Sequence, residues 1–123
     1  MVEGRIKRLL QSEGLTLFVG ALAAYQWLGA SWWMFAALCL APDLSFAAYL
    51  LGPRVGAIGY NIMHSTVGPF LLAGFSWWFG PDILTSITAS VAAVWFAHIG
   101  FDRMLGYGLK YASGFKDTHL GKL

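Results

Sequence analysis

Charged residues are what this sequence has least of. Only 11% of its 123 residues are Asp, Glu, Lys or Arg, against about 25% in an ordinary soluble domain. The deficit accompanies 58% hydrophobic residues and a mean hydropathy of +0.62. Together these argue for an integral membrane protein, and the length allows one domain of a few spans. A net charge of +2, scattered along the chain, excludes a nucleic-acid surface. Cysteine is nearly absent too. Cys39 alone rules out a disulfide framework and a thiolate zinc site, and its apolar surroundings give it the character of a small buried side chain. There is no internal repeat and no low-complexity segment. From Leu15 to Leu51 there is no Lys or Arg, and Asp43 is the single acid.

What is present is arranged in order. Residues 2–13 carry Arg5, Lys7 and Arg8 with Ile6, Leu9 and Leu10 at helical spacing, which predicts a short amphipathic helix on the membrane surface. With Ala21-Leu22-Ala23 behind it, this end also resembles a signal peptide, but it is read as part of the mature chain. The apolar run Leu15–Leu51 is too long for one span and fits two, broken at Gly29-Ala30-Ser31. The expected architecture is all-α with four transmembrane helices, near 13–28, 32–51, 55–79 and 83–105, in a single membrane domain covering 1–123. Gly52-Pro53-Arg54 and Gly80-Pro81-Asp82 are the remaining turns, Gly68-Pro69 is a kink, and 106–123 is a glycine-rich cytoplasmic tail.

Charge tests this partition. With four spans, all eight Lys and Arg fall on one side, which the positive-inside rule assigns to the cytoplasm. The topology is then N-in/C-in. Trp27, Trp32, Trp33, Trp77 and Trp78 cluster at the two outer turns, as an interfacial aromatic belt does. Glycines at 52, 56 and 59 open the third helix to close approach.

Three ionisable residues sit where lipid should be: Asp43, His64 and His98, with Asp102 one turn below His98. Such groups are costly in a bilayer and face inward with a partner. Asp43 lies eleven residues before Arg54 and His64 ten after it, so both should sit at one depth, roughly 15 Å from the turn. His98, five residues before Arg103, mismatches that depth by roughly 7–8 Å. Helix tilt, a break at Pro42, or a 52–54 turn projecting into the cytosol would close the gap. If the four residues converge, two imidazoles and two carboxylates suit one divalent zinc, manganese or iron ion. The competing reading is two hydrogen-bonded pairs, His64–Asp43 and His98–Asp102, that only hold helices together.

Other polar residues are candidates of lower specificity. Asn61 and Ser65 flank His64 as supporting partners or interhelical hydrogen-bond formers. Arg54, Arg103, Lys110 and Lys116 can clamp an anionic group or anchor to lipid head groups. His119 offers a ligand if the tail folds back, though a solvated tail is expected. No catalytic nucleophile is evident; Ser45 and Ser65 qualify on position alone.

Several motifs together carry a resemblance. They are Pro42-Asp43-Leu44-Ser45, Gly52-Pro53-Arg54-Val55-Gly56, Tyr60-Asn61 with His64, His98-Ile99-Gly100-Phe101-Asp102-Arg103, Gly106-Tyr107-Gly108-Leu109-Lys110-Tyr111, and Gly114 to Gly121. The chain resembles the bacterial domain-of-unknown-function 4260 family over roughly residues 15–121. That resemblance implies a small integral membrane protein of the bacterial inner membrane and no assigned activity. More loosely, Pro-Asp, His-Ser and His-x-x-x-Asp in that order are similar to inner-membrane metal-dependent hydrolases of the YdjM type. Carried over, this similarity implies metal binding by Asp43, His64, His98 and Asp102. Ser45 and Asn61 depart from that pattern where further ligands are usual, which argues against a two-metal centre.

Two functions from different classes follow. One is a membrane-embedded metal-dependent hydrolase with its site near the cytoplasmic face. The other is a non-enzymatic helical subunit that packs on other membrane proteins or on itself. A proton or ion relay through Asp43 and His64 ranks below both. Membrane lipids are expected partners in each case, and nucleic acid in none.

Overall fold

The computed structural model describes residues 3–80 and 82–122. Five α-helices and one 3-10 helix follow one another: α1 (Gly4–Leu28), α2 (Trp32–Leu38), the 3-10 helix (Ala41–Leu51), α3 (Pro53–His64), α4 (Val67–Phe79) and α5 (Ile83–Leu105). The fold is helical apart from the tail. Among the described residues, two stretches are long and apolar enough to cross a membrane, Trp32–Leu51 with mean hydropathy 1.7 and Ile83–Leu105 with 1.6.

The first expected boundary moves. The expected surface helix over 2–13 and the first span are one element among the described residues: α1 runs unbroken from Gly4 through residue 13 to Leu28. Gly14 is used for contact and does not break the helix. A Cβ there would lie 2.5 Å from the Arg103 Cβ and 2.8 Å from the Gly100 carbonyl oxygen, so α1 and α5 cross backbone to backbone. Gly29 then ends α1 in the left-handed region, φ 75°, where glycine is favoured. Ser31 caps α2 by accepting from the Trp33 amide.

The second and third expected helices are each two segments. α2 stops at Leu38, and a 3-10 helix restarts at Ala41 with Pro42 in its first turn. α3 stops at His64, Ser65 is extended (ψ 153°), and α4 restarts at Val67. The predicted kink at Gly68-Pro69 therefore falls a few residues early. Pro69 stands in the first turn of α4, where its missing amide hydrogen leaves no helical bond unmade. Pro81, in the predicted Gly80-Pro81-Asp82 turn, lies outside the described residues. Asp82 and Thr85 form a reciprocal capping box at the start of α5. Gly106 ends that helix at φ 89°, its amide bonding the Arg103 carbonyl while the Tyr107 amide bonds that of Asp102.

α5 is the axis of the bundle, with α1 and α4 packed against it, while the 3-10 helix and α3 form a hairpin of their own. Small residues on α3 permit that hairpin. Gly56 lies under the Tyr49 ring, and a Cβ at Gly59 would sit 2.7 Å from that of Ala48. The expected solvated tail is overturned. Residues 117–118 and 121–122 pair as a two-stranded antiparallel ladder, Lys110 bridges to Thr118, and Thr118 and Leu120 are fully buried.

The tail packs where α5 has already ended. Phe115 contacts the rings of Phe46 and Tyr49, and Lys110 is bonded to Asn61. The hairpin therefore runs on past Leu105, and the tail covers the extension. This accounts for the depth mismatch. Counting from the Arg54 turn overstates how deep Asp43 and His64 lie relative to the end of α5.

Candidate metal centre

Both helix breaks flank one spot, and each frees a backbone carbonyl that α5 takes up. His98 donates from Nδ1 to the Cys39 carbonyl at 2.5 Å. Arg103 donates to the His64 carbonyl at 2.8 Å, and the Trp95 indole donates to that of Met63 at 2.7 Å. Irregular backbone of this kind in an apolar bundle is tolerated where it is buried and its polar groups are re-satisfied.

Asp43, His64, His98 and Asp102 converge between the breaks. One ligand atom from each lies within 4.8 Å of all the others. His64 Nε2 is 3.1 Å from Asp43 Oδ1, 3.6 Å from Asp102 Oδ2 and 3.2 Å from His98 Nε2. His98 Nε2 is 3.2 Å from Asp43 Oδ1 and 3.3 Å from Asp102 Oδ2. The residues do not separate into two pairs, since His98 is as close to Asp43 as to Asp102. Ligands at 2.0–2.1 Å around a tetrahedral ion stand about 3.3–3.4 Å apart, and these separations bracket that value.

The tautomers sharpen the geometry. His64 Nδ1 lies 2.9 Å from the Tyr60 carbonyl, and His98 Nδ1 is held by that of Cys39. A carbonyl only accepts, so both Nδ1 atoms carry the proton, and in neutral rings both Nε2 atoms present lone pairs. Ligating histidines are commonly oriented by such a bond from the other ring nitrogen. Four lone-pair donors then face one point, an arrangement that a single bound cation satisfies. The four could therefore hold one metal ion.

Packing fixes the rings. Tyr60 stacks on His64 with centroids 3.8 Å apart and planes within 8°. The Lys110 ammonium lies 4.6 Å from the Tyr60 centroid and 3.8 Å from that of Phe115. Asn61 and Tyr60 are thus the residues whose role sequence reasoning missed or left open. Asn61 accepts the Lys110 amide at 2.7 Å and donates to its carbonyl at 2.8 Å, clamping the tail to α3 and not supporting His64. The available signal was the adjacency of Tyr60-Asn61 to His64 one turn on.

The other candidates lie apart from the cluster. Lys110 is buried and donates to the Phe115 carbonyl at 2.7 Å; burial pushes its pKa down. Arg103 is taken up by the His64 and Tyr107 carbonyls, and Arg54 and Lys116 are exposed. His119 does fold back, but its Nδ1 accepts the Leu109 amide. Burial, and then the nearby Arg103 charge, lower its pKa and favour that neutral ring. Ser45 donates to the Pro42 carbonyl and Ser65 accepts the Val67 amide. A groove of about 840 Å³ between α1, α4 and α5 is lined by none of the four cluster residues.

Replacing Asn61 by leucine leaves both Lys110 backbone groups unpaired. The expected result is a loss of about 2 kcal/mol or more of tail docking. Limited trypsin digestion reads it, because Lys110 and Lys116 should become rapid cleavage sites in the variant and Lys110 should resist in the parent protein.

No curated protein and no solved structure matches the chain, so the likeness to the YdjM-type hydrolases rests on residue order alone. A family model, a domain of unknown function designated DUF4260, matches residues 7–123, and the chain belongs to that family.

Proposed function

We propose that this is a multi-pass membrane protein that binds one divalent ion through Asp43, His64, His98 and Asp102 and hydrolyses an ester or phosphoester there. The observation that carries the reading is the pair of facing Nε2 atoms, 3.2 Å apart with both Nδ1 atoms committed as donors, closed by two carboxylates. Zinc, manganese and iron all accept this nitrogen–oxygen set. A bound divalent ion supplies Lewis acidity and brings the pKa of water toward neutrality.

The chain's own residues perform the remaining tasks. The Tyr60 and Cys39 carbonyls hold the imidazoles in the ligating tautomer. Tyr60 locks the His64 ring from one face, and Arg103 pins the backbone at the break. Asp43 is the most exposed of the four and faces the open side. The test is metal analysis of protein purified without added metal, then after dialysis against zinc. About one ion per chain is expected, as for a single closed site. A protein that stays metal-free and is indifferent to chelators contradicts the reading.

The membrane part is supported by the charge pattern and by the fold. Gln11 of α1 donates to the Met104 carbonyl at the end of α5, so the first turns of α1 and the last turn of α5 lie at one end of the bundle. Cysteine placed at Arg54 or Lys116 should react with an impermeant maleimide only after cells are opened. At Asp82 it should react in intact cells. Labelling of position 54 from outside overturns the N-in/C-in topology.

A further inference from the structure

The cluster is covered unevenly. The side chains of His64, His98 and Asp102 are 0%, 5% and 14% exposed, but that of Asp43 is 33% exposed. Three residues make one turn of a 3-10 helix, so Leu40 and Phe46 stand in line with Asp43, and Pro42 and Leu44 flank it. Pro42 is buried, whereas Leu40 is 67% and Leu44 77% exposed. The free edge of Asp43 thus opens between two bare leucines. Toward the tail the imidazole is screened. There Phe115 packs on Phe46 at 5.3 Å between centroids, Lys110 fills the space between Phe115 and Tyr60, and the buried Tyr60 lies flat on the fully buried His64. His98 sits seven residues before the end of α5, roughly 10 Å along the helix, a depth at which the polar–apolar junction of a lipid can reach it.

Resting on the metal reading above, we infer that the centre takes its substrate sideways from the bilayer, a membrane lipid whose ester or phosphoester group passes between Leu40 and Leu44. The folded tail is the wall that shuts the water side. Hydrolysis of such a bond needs no other co-reactant. The C–O or P–O bond breaks, the oxygen of water joins the acyl or phosphoryl group, and a proton of that water ends on the leaving alcohol.

The experiment uses the full chain loaded with cobalt(II) in phosphatidylcholine nanodiscs and follows the visible cobalt bands. Two hydroxamates serve as probes, water-soluble acetohydroxamate and bilayer-resident hexadecanohydroxamate. In the parent protein the long-chain probe should perturb the bands and the short one should not. Leu44→Lys, with Leu44→Gln as the milder partner, should weaken the long-chain probe by about tenfold, the loss of a few methylene contacts. Phe115→Ala should admit acetohydroxamate. The inference is overturned if acetohydroxamate reaches the parent centre as readily, if neither probe does, or if both Leu44 variants bind the long-chain probe unchanged. Failure to take up cobalt at all removes the metal reading itself, a result separate from these.

Discussion

His98→Ala should strip the protein of metal. His98 Nε2 lies 3.2–3.3 Å from ligand atoms of Asp43, His64 and Asp102, so its loss removes one corner of the cluster and leaves three donors without a closed shell. Removing a group that merely orients a ligand costs 10–100-fold in metal affinity, so losing the ligand itself should cost about 100-fold or more. Metal content after dialysis measures this, with the variant falling from near stoichiometric to near background. His119→Ala is the matched control. That imidazole is also partly buried, but it is tied to Leu109 and stands outside the cluster. If His119→Ala loses metal as completely as His98→Ala, the site has been assigned to the wrong residues.

Gly100→Leu should be the most destabilising single change in the bundle. A Cβ at Gly100 would lie 2.6 Å from the Phe18 amide nitrogen, 2.8 Å from the Gly14 carbonyl oxygen and 3.0 Å from the Phe18 Cα. These are backbone atoms of a neighbouring helix, so no side chain can rotate away, and α1 must separate from α5. Overpacking of this kind costs about 3 kcal/mol or more. Because α5 also carries His98 and Asp102, metal retention should fall with stability. Gly74→Leu is the control, since nothing lies within 4 Å of a Cβ there. Thermal unfolding in detergent should show Gly100→Leu several degrees below the parent protein, as a change of this size predicts, and Gly74→Leu unchanged. Equal midpoints for the two variants contradict the close crossing.

The parts of this fold that were legible in sequence are those set by local chemistry. The limits of α5 follow from a capping aspartate and a glycine that can take positive φ, and the hairpin of the 3-10 helix and α3 follows from Gly52-Pro53. The four cluster residues could be picked out because ionisable groups in apolar runs are few. The breaks after Leu38 and His64 were legible only in part: Pro42 offered a break and Gly68-Pro69 a kink, but not their positions or the change to a 3-10 helix. At Ser65 no glycine or proline interrupts the helix. What stabilises the break is side chains from α5, Trp95 and Arg103, which take up the Met63 and His64 carbonyls more than thirty residues away in sequence. The tail was misread for a related reason. Its glycines resemble a flexible end, and the partner that orders it is the side chain of Asn61, 49 residues earlier. Glycine there also serves contact: a Cβ at Gly108 would meet the His119 ring at 2.6 Å.

X-ray absorption at the zinc edge of the reconstituted protein reads the ligand shell itself. Four nitrogen and oxygen ligands are expected at about 2.0–2.1 Å with the outer-shell scattering of two imidazoles, and one imidazole fewer in His98→Ala. A sulfur neighbour at about 2.3 Å, or an oxygen-only shell without imidazole scattering, would contradict this assignment.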